Sequence, residues 1–376
     1  MQLKGLYIRN FRNIADEEIT FAPGCNVIFG ENAQGKTNLL EAIILLSIGR
    51  SFRTSHLSEL IREKEAAFYL EAEGVREGIS HHLKLSFDGQ TKRLHIDGNT
   101  YAHFNPLLGL FPSVVHAPRD VELVSGAPSE RRRFLDLALA QSEPLYVHHL
   151  SRFYRAMKQR NCLLRSQIWD AIDCWEAEMA QAATQIQKMR TQLIASLSPA
   201  LQKEGKALSH GQECHEMVFS PSYPATGEGY LEQLQKNRRR DSELKLTATG
   251  PHRDDFSFLI NGKLARIFAS EGQKKTATAA LKLAEWQELS KKIDALPLFA
   301  IDDLGQPLDP VREKHFCQML EKLGQGFITT PKKLDIGSHG QKIKIARGCR
   351  VVHLPEGAEL IHKNASPRGN EAPVPL

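Results

Sequence analysis

Eight consecutive residues carry most of the chemistry legible in this chain. Gly30-Glu31-Asn32-Ala33-Gln34-Gly35-Lys36-Thr37 follows the spacing G-x-x-x-x-G-K-[ST]. Glycines at both ends let the backbone wrap an anion with its N–H groups turned inward. The lysine reaches the β and γ phosphates of a nucleotide, and the hydroxyl ligates Mg2+. All residues from Gly30 to Thr37 are therefore candidate ATP-binding residues, with Lys36 also catalytic and Thr37 also a metal ligand. A loop of this kind needs a second carboxylate to complete the metal shell, usually at the end of a strand. Leu298-Phe299-Ala300-Ile301-Asp302-Asp303 supplies one. Asp302 is expected to hold Mg2+, directly or through water, and Asp303 to polarise the attacking water.

The flanking elements suit these roles. Asn26-Val27-Ile28-Phe29 is a short apolar run of strand character, and Leu39, Leu40, Ile43, Ile44 and Leu46 set a helical pattern just after the loop. Phosphates would then sit at the positive end of that helix. Leu3–Ile8 and Ile19–Phe21 read as strands. Asp88-Gly89 and Asp97-Gly98 mark hairpins within 68–100. From about Ser129 to Ser209 helical periodicity takes over. Ile172, Trp175, Met179, Ala182, Ile186, Met189 and Leu193 form a heptad seam. That seam fits either a helix packing on its own domain or a short helical arm; Trp169 and Trp175 are expected in its core. Strand character returns at Phe256–Ile260, at Leu264–Phe268 after Asn261-Gly262, and at Phe327–Thr330, with a helix over Thr276–Leu289. Lys36 and Asp302 lie near opposite ends of the chain, unlike those of a compact kinase or small GTPase. The nucleotide site is thus split by a long insertion.

Composition sets wider bounds. The 376 residues predict two or three domains, and 41% hydrophobic with 25% charged residues excludes global disorder, a collagen-like repeat and a disulfide scaffold. The six cysteines include no C-x-x-C pair, and no apolar run approaches the ~18 residues of a membrane-spanning helix. A reduced, cytoplasmic protein without a membrane partner is expected. The net charge of +5 is mild, yet residues 131–165 alone carry a surplus of six positive charges. On a helical wheel Arg155, Lys158 and Arg165 share one arc with Arg152 at its edge, on a different arc from a packed stripe. These four are candidate DNA-binding residues, weighed against a merely solvated face. Arg238-Arg239-Arg240 is a second basic run, read as a loop. His252, in a Gly-Pro turn, suits a structural role at least as well as a catalytic one.

Ser270-Glu271-Gly272-Gln273 resembles the signature of ABC-type ATPases, in which a serine and glycine at a helix N-terminus bind the γ-phosphate held by the opposite subunit; Ser270, Gly272 and Gln273 are the candidates in trans. A plain helix cap is the simpler alternative. Together with LYIRNFRN (6–13), GENAQGKTNLLE (30–41), PSERRRFLD (128–136), TGPHRDD (249–255) and Asp302-Asp303, the motif resembles the RecF family of bacterial recombination-mediator ATPases, relatives of SMC proteins. The resemblance runs to about Thr330. It implies an α/β fold: an ABC-type P-loop ATPase head with an inserted, mainly helical arm domain. The expected division is head over 1–115, arm over 116–242, and head again over 243–363. The Pro-, Ala- and Gly-rich 364–376 is expected to be a disordered tail.

The resemblance further implies ATP-dependent homodimerisation and weak DNA-stimulated hydrolysis of ATP with Mg2+. It also implies binding to gapped single- and double-stranded DNA, and partnership with RecR, acting with RecO, to load RecA. Two departures bear on hydrolysis rate and dimer affinity. Pro118-Arg119-Asp120 replaces the family's usual Pro-Glu-Asp, and Gln306-Pro307-Leu308-Asp309 replaces Ser-Glu-Leu-Asp. An ATP-switched DNA-binding module with negligible turnover is therefore the alternative. A transporter-type nucleotide-binding subunit is disfavoured by the helical insertion.

Overall fold

The computed structural model describes residues 1–303, 323–331 and 341–345, and the backbone of 351–354. Pro307 and its neighbours, and the 364–376 tail, lie outside the described residues.

The chain opens with β1 (Gln2–Phe11) and β2 (Ile14–Thr20), then β3 (Cys25–Phe29) and α1 (Lys36–Ile48). Next come β4 (Phe68–Arg76), β5 (Ile79–Phe87), β6 (Lys92–Ile96) and β7 (Asn99–Tyr101). β1 and β2 join the last four in an antiparallel sheet ordered β2-β1-β4-β5-β6-β7. Its strands alternate: Phe68, Leu70 and Ala72 are buried while Tyr69 and Glu71 face outward. The Asp-Gly dipeptides turn β5 into β6 and β6 into β7 as expected. The β4–β5 turn is Glu77-Gly78, both at positive φ. Glu is not a residue that favours such a turn, so it gave no local signal.

A second sheet holds β8 (Ser113–His116), β12 (Leu298–Ile301), β13 (Gly326–Thr330), β14 (Gln341–Ile345) and β15 (Val351–Leu354), with β3 inside it. The order is β15-β14-β3-β13-β12-β8, parallel except where β15 meets β14. α1 is buried from Leu39 to Ile48 because it lies between the two sheets, and an all-round apolar helix requires such a setting.

After β8 come α2 (Glu122–Ser125), α3 (Pro128–Ser142), α4 (Pro144–Ser166) and α5 (Ile172–Leu208), then β9 (His215–Ser220), α6 (Gly227–Lys236) and α7 (Arg238–Leu244). After them come β10 (Asp255–Ile260), β11 (Lys263–Leu264), α8 (Ala265–Phe268) and α9 (Glu271–Ile293). The heptad residues Met179, Ala182, Ile186 and Leu193 are buried against α4 and α9. The helical segment therefore does not stand clear of the elements C-terminal to it. β10 pairs with β9, and Phe256, Phe258, Ala277 and Leu281 share one core with α4 and α5, so packing is continuous across residue 242. α9 also reaches the parallel sheet, where Leu283, Trp286 and Leu289 cover Val114, Phe299 and Ile328.

Three expectations are corrected. The strand expected over Leu264–Phe268 is only two residues of β11, followed by the single turn α8. Trp169 is exposed rather than core, because it lies in the tip between α4 and α5. Arg238-Arg239-Arg240 opens α7 instead of a loop, and Arg238 is ion-paired with Asp173 and Glu176.

A candidate nucleotide site at the carboxyl end of the parallel sheet

Parallel pairing sets Phe29 beside Thr330, and Ile301 beside both Ile328 and His116. The loop after β3, the acids after β12 and the end of β13 therefore converge on one edge, where open α/β sheets bind ligands. The carbonyl of Ile345 on β14 occupies the space a side chain at position 30 would need, so Gly30 is required by close approach. Ala33 and Gly35 are left-handed (φ +64° and +107°), which curls the loop into the start of α1. Lys36 spans the loop, its Nζ donating to the carbonyls of Gly30 at 2.7 Å and Glu31 at 2.8 Å. Burial pushes its pKa below the ordinary lysine value, against the pull of Asp303 and Asp302. The first turn of α1 holds no acidic side chain, so its positive end stays available to an anion.

Thr37 Oγ1 donates to Asp302 Oδ1 at 2.7 Å, closing the loop onto a residue 265 positions away. Asp302 is nearly buried; its N–H donates to the His116 carbonyl, and Thr329 Oγ1 donates to the same Oδ1. A hydroxyl and a carboxylate in contact are oxygen ligands of the kind Mg2+ takes when nucleotide and water supply the rest. Among the described residues no cluster of three or more His, Cys, Asp or Glu side chains has metal-holding geometry.

A second layer fixes α1. Glu41 is fully buried and receives Arg12 through two bonds of 2.9 and 2.8 Å, with Arg53 and Ser51 also donating to it. Asn38 meets both Asn13 and Arg53. The two motifs at 6–13 and 30–41 are thus halves of one latch. Its sequence signal was the lone acid inside an apolar helix, which a search for nucleotide ligands passes over.

The signature residues lie at the start of α9. Ser270 Oγ accepts from the N–H of Gln273 at 3.3 Å, and Gln273 Oε1 accepts from the N–H of Ser270 at 2.9 Å. Within one chain they form a capping box, and among the described residues no hydrogen bond joins them to the loop at 30–37. A side chain at Gly272 would meet nothing nearer than Ser270 Oγ at 3.9 Å. Just before them, Ile267 and Phe268 are 68% and 66% exposed.

The family model described as RecF/RecN/SMC N terminal domain matches residues 2–347. The DNA replication and repair protein RecF of Protochlamydia amoebophila is 42% identical over 344 residues, covering 89% of this chain and 96% of that protein. The chain belongs to the RecF family. A solved structure of the recombination mediator RecF with ATP, from the RecFOR pathway, superposes with a TM-score of 0.88 at 31% identity, covering 94% of this chain and 98% of that one. The Smc head domain with an extended coiled coil, from Pyrococcus furiosus, gives 0.55 at 15% identity over 94% of this chain and 96% of that one, a likeness of fold alone. The fold is that of an ABC-type ATPase head. Among the described residues no helix is long and apolar enough to cross a membrane.

Two RecF-family motifs prove to hold each other. Arg131 grips Asp255 through two bonds of 2.6 and 2.9 Å, and Arg132 donates to the carbonyl of Asp254. Arg190, buried in α5, joins Asp136, Asp254, Tyr146 and the carbonyl of Pro251. His252 belongs to this lock: its Nε2 bonds the Thr247 carbonyl and its ring lies 5.8 Å from Phe153.

Most of the basic side chains of 131–165 are engaged in hydrogen bonds or ion pairs, and Arg131 and Arg160 are buried. Arg160 is fully buried, paired with Glu176 and Asp241. Arg152 is held by Glu178 at 2.6 Å through two bonds and by Gln181. Arg165 donates to the Lys245 carbonyl at 3.4 Å, while Arg155 and Lys158 are exposed along α4. Arg119 pairs with Glu122 and Glu130.

Proposed function

We propose that this chain is an ATP-dependent DNA-binding protein of DNA replication and recombinational repair, two copies of which close on ATP. The observation that carries the reading is the Thr37–Asp302 bond, which assembles a phosphate loop and a metal carboxylate from opposite ends of the chain. Gly30 to Thr37 would cradle the phosphates with Lys36 against the β and γ groups. Mg2+, when bound at Thr37 and Asp302, supplies charge neutralisation, and Asp303 would orient the attacking water. Support for closure between two copies is that the space around Gly272 is open, beside exposed Ile267 and Phe268. Ser270, Gly272 and Gln273 would meet the partner copy's nucleotide.

We place the head at 1–115 and 243–363 and the arm at 116–242, with Arg155, Lys158 and Arg165 on the DNA-contacting face and Arg152, held by Glu178, at its edge. By family, gapped single- and double-stranded DNA is the substrate, and RecR with RecO, and through them RecA, are the partners. Weak DNA-stimulated hydrolysis is expected. Arg119, where the family usually has Glu, is the observation behind a second reading in which ATP switches the dimer and is scarcely turned over. Phosphate release with and without gapped DNA separates the two. Lys36→Arg should abolish the ATP-driven rise in mass seen by light scattering; a variant that dimerises like wild type rejects the scheme.

A further inference from the structure

Thr329 is the fourth residue of β13, a strand buried along its whole length, and is itself 1% exposed. Nothing in strand propensity distinguishes threonine from valine here, and a buried hydroxyl costs stability unless it is bonded. This one is bonded twice. Thr329 Oγ1 donates to Asp302 Oδ1 at 2.9 Å and accepts the N–H of Asp303 at 2.7 Å. One hydroxyl thus spans both acids, gripping the first by its carboxylate and the second by its backbone. Thr37 Oγ1 approaches the same Oδ1 at 2.7 Å, so two threonines set the rotation of the Asp302 carboxylate. Asp303 has φ +53°, a left-handed conformation that disfavours a residue with a Cβ. The bond from its N–H to Thr329 helps hold that turn, and the turn decides where the Asp303 side chain leaves the strand.

We propose that Thr329 is a positioning residue of the nucleotide site: its hydroxyl orients the Asp302 carboxylate toward the Thr37-bound cation and fixes the kink at Asp303. The inference rests on the metal–ATP reading of that site. Thr329→Val keeps shape and burial while removing both hydrogen bonds, and Thr329→Ser keeps both bonds. Groups that orient a metal ligand typically change metal affinity or activity by about 10- to 100-fold when removed.

The test is a titration of the full-length protein with Mg2+ at fixed mant-ATP, read by fluorescence, alongside phosphate release on gapped DNA. The valine variant should need about tenfold more Mg2+ for half-saturation, with metal-free mant-ATP affinity unchanged, and serine should restore the wild-type value. A merely structural threonine would lower the melting temperature and leave the Mg2+ midpoint in place. If the valine variant is insoluble, Thr329→Ala is read in the same way. A folded valine or alanine variant with the wild-type Mg2+ midpoint overturns the role of Thr329 alone. Wild-type binding that ignores Mg2+ overturns the metal–ATP reading and this inference together.

Discussion

Glu41, Asp254 and His252 are buried or half-buried ionisable groups inside the family motifs, and their surroundings differ. Glu41 has two guanidinium partners. Asp254 is pushed up by burial, against the pull of Arg190. His252 has no carboxylate beside it. Burial, then the nearby Arg253, Arg132 and Arg190, push its pKa down to about 4, although the bond to Thr247 works the other way. Its Nδ1 is buried without a hydrogen-bond partner. The neutral ring is the folded form, whereas an unfolded histidine takes up a proton near pH 6.5. The unfolded chain therefore binds more protons below that pH, and the stability this residue contributes is present above about pH 6.5 and lost as pH falls toward 4. His252→Gln keeps a donor for Thr247 and removes the titration. Urea melts should show wild type losing about 2 kcal/mol relative to the variant between pH 7 and pH 4.5. Parallel pH profiles would refute the assignment.

At the scale of elements, α4 separates two kinds of arginine that a charge count treats alike. Its inward face holds Arg160 in a closed network of Glu176, Asp241 and Thr247. Its outward face carries Arg155 and Lys158. Charge reversal at Arg155 and Lys158 should weaken binding to gapped DNA and lower the slope of log affinity against log salt by about two. Arg152→Ala should change that slope little, because Glu178 already neutralises Arg152. Filter binding across a salt series tests both variants; an unchanged slope in the first moves the DNA surface off this helix. α9 links regions on the same scale. One end presents Ser270 and Gly272, its middle packs on the helical core, and its far end lies on the strand that leads to Asp302.

For the whole molecule, the proposed closure of two copies on ATP points to one exposed surface. Ile267 and Phe268 on the single turn α8, with Leu264 at the end of β11 before it, are exposed apolar side chains next to the signature residues, and exposed apolar clusters of this kind mark association surfaces. Changing Ile267 and Phe268 together to serine removes no core residue, so the monomer should melt as wild type does and bind mant-ATP equally well. Its ATP-dependent dimer should weaken at least about tenfold, as when aromatic anchors leave an interface. Sedimentation with ATP and Mg2+ measures this. Wild-type dimerisation by the variant would exclude the patch from the contact.

The sequence by itself determined the local elements built from consecutive residues. The loop from Gly30 to Thr37, the strand before it, the helix after it and the acids at 302–303 were legible because spacing and local periodicity encode them. The Ser270 cap was legible for the same reason. Tertiary structure alone decided the partners. It gave Asp302 to Thr37 and Thr329, Glu41 to Arg12, Asp255 to Arg131, and Glu176 to Arg160. It also showed that a basic stretch with a surplus of six charges is largely tied into ion pairs and hydrogen bonds, with Arg155 and Lys158 left exposed on α4. The reason is that a charge acts through whatever lies within a few ångströms of it, and here those neighbours come from distant parts of the chain, which pair only once the sheets and helices have closed.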